Sequence, residues 1–248
     1  MELSGTGPYR SGARIKTFFR FGGSLGETGA ASDAVQNDEA KETSMTIRLH
    51  RGDLPDLSRY RQSAAVDTET MGLDHHRDRL CVVQLSPGDG SADVIQIPRG
   101  GSVGTNLRTL LLDPGVLKIF HFARFDLGAM QVSFGVMPNP VYCTKIASRL
   151  ARTYSDKHGL KDLTRDLLGV EVSKQQQLTD WGAESLTDAQ IAYAASDVLH
   201  LHALKDRLDT LLAREGREDL AAACFRFLPD RVRLDLAGWA AEDIFSHS

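Results

Sequence analysis

The chain has 248 residues, 33 acidic against 29 basic side chains, a formal net charge of −4 and 42% hydrophobic residues. That is ordinary globular composition, and no apolar run approaches the roughly 20 residues needed to span a bilayer, so no membrane association is expected. The mildly acidic balance argues against a protein that coats long nucleic acid by bulk charge. Three cysteines without CxxC or Cys/His spacing (Cys81, Cys143, Cys224) argue against a disulfide framework or structural zinc, and fit a reducing cytoplasm.

Residues 1–44 hold seven of the 22 glycines and show no period of two or 3.6. They are expected to be a disordered N-terminal extension or leader. Met45 opens Met-Thr-Ile-Arg-Leu-His like a natural start, so residues 45–248 are expected to form a single domain ending in helices. Ala64-Ala65-Val66 runs apolar into Asp67, Leu80 to Leu85 reads as a second strand, and Ala92 to Ile97 as a third beyond a Pro-Gly-Asp-Gly turn. Asn106 to Leu112 reads as a short helix. Val116 to Phe122 is a fourth strand feeding a helix from about 124 to 134. Beyond Pro138 and Pro140, helices are expected at about 143–152, 158–168, 187–214, 217–227 and 236–245. Three strands, a strand–helix unit and then helices predict an α/β fold, a mixed β-sheet flanked by α-helices.

Three groups of residues carry chemistry. In Val66-Asp67-Thr68-Glu69, two carboxylates sit at i and i+2 at the end of a buried strand and so share a face. Like charges there repel and cost desolvation, a penalty that a divalent cation removes. A turn cap and a solvated edge residue would be the plainer explanation of the pair alone. In His121-Phe122-Ala123-Arg124-Phe125-Asp126, a strand gives way to a helix. Asp126 falls in the first turn, where a carboxylate also suits the helix dipole. In Tyr193-Ala194-Ala195-Ser196-Asp197, i and i+4 share a helix face, pairing a carboxylate with a phenol that can orient water.

The combination in this order resembles the DEDDy 3′-to-5′ exonucleases, the RNase D-like superfamily with its ribonuclease H-like fold. The resemblance runs from about Ile47 to Leu211. It implies Asp67, Glu69, Asp126 and Asp197 as metal ligands or their supports, with Tyr193 as the water-orienting phenol. It also implies two divalent cations per site, Mg2+ or Mn2+, and hydrolysis of a 3′-terminal phosphodiester to nucleoside 5′-monophosphates. Further runs narrow the resemblance to the nanoRNase C group: His76-Arg77-Asp78-Arg79, Cys143-Thr144-Lys145-Ile146-Ala147-Ser148, His158-Gly159-Leu160-Lys161, Ser173-Lys174-Gln175-Gln176-Gln177 and Asp235-Leu236-Ala237-Gly238-Trp239. That group implies very short RNA as substrate, dinucleotides including linear pGpG, and a homo-oligomer, an octamer.

Length preference has a physical side. The stretch after Arg217 is too short for the extra helical domains with which RNase D grips longer RNA, so grip must come from the core or from neighbouring subunits. Leu73, four residues beyond Glu69, matches the leucine that separates the last two bases in dinucleotide-specific relatives. A core leucine after a glycine turn is the competing reading. Among the basic residues of 143–174, His158, Lys161 and Lys174 are the expected phosphate contacts, and Trp181 is expected in the core. Two alternatives stand beside the dinucleotide reading. One is a general RNase D-like exonuclease acting on longer RNA 3′ ends or on DNA. The other is a non-catalytic nucleic-acid-binding module.

Overall fold

A computed structural model describes residues 14–17, 45–172 and 179–247. Seven strands form one mixed sheet: β1 (Arg14–Thr17), β2 (Met45–Arg51), β3 (Ser63–Thr70), β4 (Leu80–Ser86), β5 (Ser91–Gln96), β6 (Leu117–Phe120) and β7 (Val141–Cys143). Their order is β1-β2-β5-β4-β3-β6-β7. The pairs β1/β2, β5/β4 and β4/β3 are antiparallel, and β2/β5, β3/β6 and β6/β7 are parallel. The α/β expectation of a mixed sheet with flanking helices holds. Within the segment expected to be irregular, Arg14–Thr17 forms edge strand β1; the rest of residues 1–44 lies outside the described residues.

The helices are α1 (Thr105–Leu112), α2 (Ala123–Phe134), α3 (Thr144–Ala151), α4 (Leu160–Leu163), α5 (Asp188–Leu199), α6 (Leu201–Arg214) and α7 (Glu218–Leu234). π-helical turns extend α4 over Thr164–Leu168 and α7 over Asp235–Trp239. Helices α1, α2 and α7 cover one face of the sheet through Leu107, Leu111, Leu127, Met130, Leu228 and Val232. Helices α3 to α6 cover the other through Ala147, Leu163, Ala194, Ala195, Leu204 and Leu208. The helix expected over 187–214 divides at His200, which caps the end of α5 and the start of α6 (φ −101°, ψ −5°). The helix expected to stop at 227 runs through Pro229 to Leu234, and residues 240–247 are not helical.

This layering decides where the acids go. Side chains alternate along β3, so Asp67 and Glu69 follow Ala65 toward the α5–α6 side. Thr68 follows Ala64 and Val66 toward the α2 side. Helix α5 is started by a reciprocal cap: the Gln190 N–H donates to Thr187 Oγ1 (3.2 Å) and the Thr187 N–H to Gln190 Oε1 (3.0 Å). Fully buried Ala194 and Ala195 let α5 lie close on the sheet, which brings Tyr193 and Asp197 to the end of β3.

Candidate active site

Oxygens of Asp67, Glu69 and Asp197 all lie within 4.8 Å of one another. Acids distant in sequence therefore converge, two from a strand end and one from a late helix. Asp126 enters from the opposite layer. It sits in the first turn of α2, almost fully buried, and its Oδ1 accepts from the Thr68 hydroxyl at 2.7 Å. It lies outside the three-carboxylate group but near enough for its charge to act on Asp67 and Glu69. Helix α2 begins from Phe122 in the left-handed region (φ 68°, ψ 43°), the one non-glycine residue with positive φ among the described residues. That geometry costs of order 1–3 kcal/mol and turns the chain sharply enough to place Asp126 at the sheet end.

Electrostatics follow from this packing. Burial, then the charges of Asp126, Asp197 and Glu69, raises the Asp67 carboxyl well above its ordinary range. Burial and the neighbouring Asp197 and Asp126 push Glu69 up to about 9. Burial lifts Asp126 and Asp197 to about 7, the Thr68 hydrogen bond opposing it at Asp126 and the Tyr193 phenol at Asp197. The Tyr193 hydroxyl is itself raised by burial and by Asp197, Glu69 and Asp67, so it stays protonated and donates. Its ring packs beside buried Trp181, with centroids 6.1 Å apart, which places Trp181 in the core as expected. Among the described residues no lysine, arginine or histidine forms an ion pair with any of the four carboxylates. An all-oxygen, all-anionic donor set without a protein cation fits a hard divalent cation such as Mg2+ or Mn2+.

The loop between β3 and β4 follows directly from the strand end that carries Asp67 and Glu69. Leu73 is 85% exposed at its tip, so it is not a core leucine. The loop is tightly tied: the Met71 N–H donates to Arg79 O (3.1 Å), the Asp78 N–H to Asp74 O (2.7 Å) and the Asp74 N–H to Asp78 Oδ2 (3.0 Å). At Gly72 any Cβ would collide with the Asp78 carboxylate, which explains the glycine before Leu73. Of the expected phosphate contacts, His158 lies between α3 and α4, its Nδ1 2.8 Å from Ser148 Oγ, with Arg152 and Arg149 lowering its imidazole beyond the effect of burial. Lys161 sits in α4, half-buried. Neither belongs to the acidic cluster. Lys174 lies outside the described residues.

Two neighbours of the acids escape a reading by motif. Thr68 looks like a spacer between Asp67 and Glu69, yet it holds Asp126. Gln84, fully buried on β4, donates to Asp67 Oδ2 at 3.2 Å. Its signal in the sequence is a glutamine inside the otherwise apolar run Leu80 to Leu85.

Comparison with known proteins identifies the family. The 3′-5′ exonuclease family model matches residues 53–213. Ribonuclease D of Gluconacetobacter diazotrophicus is 37% identical over 166 residues, 67% of this chain but 42% of that protein. The chain thus spans less than half the length of such curated relatives. The structure of Brucella melitensis NrnC with bound Mg2+ is 58% identical with a TM-score of 0.78, covering 82% of this chain and 99% of that one. Brucella melitensis NrnC bound to pGG is 60% identical with a TM-score of 0.80, covering 83% and 100%. The chain therefore belongs to the 3′-5′ exonuclease family, as an RNase D-like DEDD member close to NrnC.

Proposed function

We propose that the chain is a 3′–5′ exoribonuclease of very short RNA, acting above all on diribonucleotides, linear pGpG included, and releasing nucleoside 5′-monophosphates. In this reading it works in the cytoplasm as a homo-oligomer, expected to be an octamer. The observation that carries the reading is the convergence of Asp67, Glu69 and Asp197 within 4.8 Å at the end of β3, which leads directly into the loop that exposes Leu73. Supporting it, pGG is the ligand of Brucella NrnC, to which the chain is 60% identical.

Asp67, Glu69 and Asp197 would hold divalent cations, Mg2+ or Mn2+, with Asp126 completing the site. When bound, two such ions supply the charge that stabilises the phosphoryl transition state and the polarisation that makes water nucleophilic near neutral pH. Tyr193 is protonated and donates to Asp197; once Asp197 holds a cation, that hydroxyl turns to the attacking water and orients it toward phosphorus. Leu73 inserts as an apolar wedge between the two terminal bases, and its bonded loop keeps it from folding away. His158, Lys161 and Lys174 are the proposed contacts to the 5′-terminal phosphate.

Initial rates with Mn2+ on two-, five- and twenty-residue RNAs test this. The dimer should be cleaved at least ten times faster than the twenty-mer, and Leu73→Ala should narrow that ratio. A twenty-mer cut as fast as the dimer would favour a general RNase D-like trimming enzyme, the activity named for the curated relatives.

A further inference from the structure

Strand β4 is buried along its whole length, and from Leu80 to Leu85 every side chain but one is apolar or cysteine. The exception is Gln84, with 0% of its surface exposed. The antiparallel register sets Gln84 directly opposite Asp67. Its Nε2 donates to Asp67 Oδ2 at 3.2 Å. The other end of the same amide, Oε1, is buried with no hydrogen-bond partner among the described residues.

An orphaned buried acceptor costs stability, and an apolar side chain of the same size would avoid that cost. Val82, on the same face of the strand, is the kind of residue that core packing selects there. Gln84 is therefore poorly chosen for packing and well chosen for Asp67. Its amide fixes the carboxylate's orientation without neutralising it. An arginine or lysine at this position would pair with Asp67 and compete with an incoming cation.

We propose that Gln84 is a positioning residue of the metal site: its uncharged amide holds Asp67 in the orientation that binds a divalent cation. The inference rests on the cation-holding role given above to Asp67, Glu69 and Asp197. Partners behind metal ligands commonly carry 10- to 100-fold in affinity.

The test is Mn2+ affinity of the whole chain without RNA, by electron paramagnetic resonance of free Mn2+, in Gln84→Met and Gln84→Leu. Both should bind Mn2+ about tenfold more weakly. Their melting temperatures in EDTA should be unchanged or higher. Mn2+ affinity within twofold of the unaltered chain overturns the proposal. A lowered melting temperature or failure to fold in both variants overturns it too, since Gln84 would then be structural. Because no RNA is present, these outcomes are separate from the chain-length series: a chain that prefers dinucleotides while Gln84→Met binds Mn2+ normally loses only the role of Gln84.

Discussion

Two aspartates in one sheet, Asp93 buried and Asp67 half-buried, have opposite fates. Asp93 on β5 accepts from the Tyr60 hydroxyl at 2.6 Å and from Arg59 Nη1 at 2.9 Å, and its Oδ1 lies 2.8 Å from His50 Nε2. Burial pushes it upward, but the hydrogen bonds from His50 and Tyr60 and the charge of Arg59 prevail and hold it below the ordinary carboxylate range. Asp67 on β3 has an amide donor and three other carboxylates for company, and is held well above that range by burial and repulsion. The protein brings its own cations to one acid and withholds them from the other. A carboxylate completed from within is architecture; one left repelling its neighbours is a place for a cation from outside.

Asparagine substitutions sharpen this contrast most. Asp67→Asn or Asp197→Asn should lower exonuclease turnover by a factor on the order of 1000, measured as 5′-monophosphate release, while raising the melting temperature in EDTA by relieving repulsion. Activity unchanged in both would leave a nucleic-acid-binding module as the better account. Asp93→Asn should do the reverse, costing about 3 kcal/mol in urea unfolding because Arg59 and His50 lose their partner, with Mn2+ affinity unchanged.

A smaller effect appears in pH. Glu69 at about 9, and Asp126 and Asp197 at about 7, sit above the values near 4 of an unfolded chain. Between about pH 4 and 9 these carboxyls therefore bind more protons in the metal-free folded state than in the unfolded state, and their contribution to stability falls as pH rises through that window. Asp93, lowered in the folded state, contributes stability above about pH 4 and loses it on acidification. Five histidines lowered in the folded state act in the opposite sense below about pH 6.5, so melting temperatures in EDTA should decline from pH 7 to 9, and Mg2+ should raise them more at pH 8 than at pH 6. A flat profile would break the contrast.

The strands of the centre were legible because their apolar runs are bounded by turns, and the pair Asp67 and Glu69 because charge at the end of such a run is costly. What escaped has local reasons. β2 alternates Met45, Ile47 and Leu49 over seven residues, a weak pattern beside the solid run of β4. β7 is three residues pinned between Pro140 and α3. No residue type marks the break at His200, where apolar periodicity continues from α5 into α6. Pro229 sits buried within α7, where burial of its neighbours Leu228 and Val232 in the core outweighs the lost backbone hydrogen bond. Thr68 and Gln84 were hidden because each acts through pairing across strands and layers that only the fold supplies.

Anomalous diffraction from crystals of the chain soaked in Mn2+ tests the central claim most directly. The account predicts a manganese peak at roughly 2.2 Å from carboxylate oxygens of Asp67, Glu69 and Asp197. Peaks confined to other surfaces, with these three side chains turned apart, would contradict it.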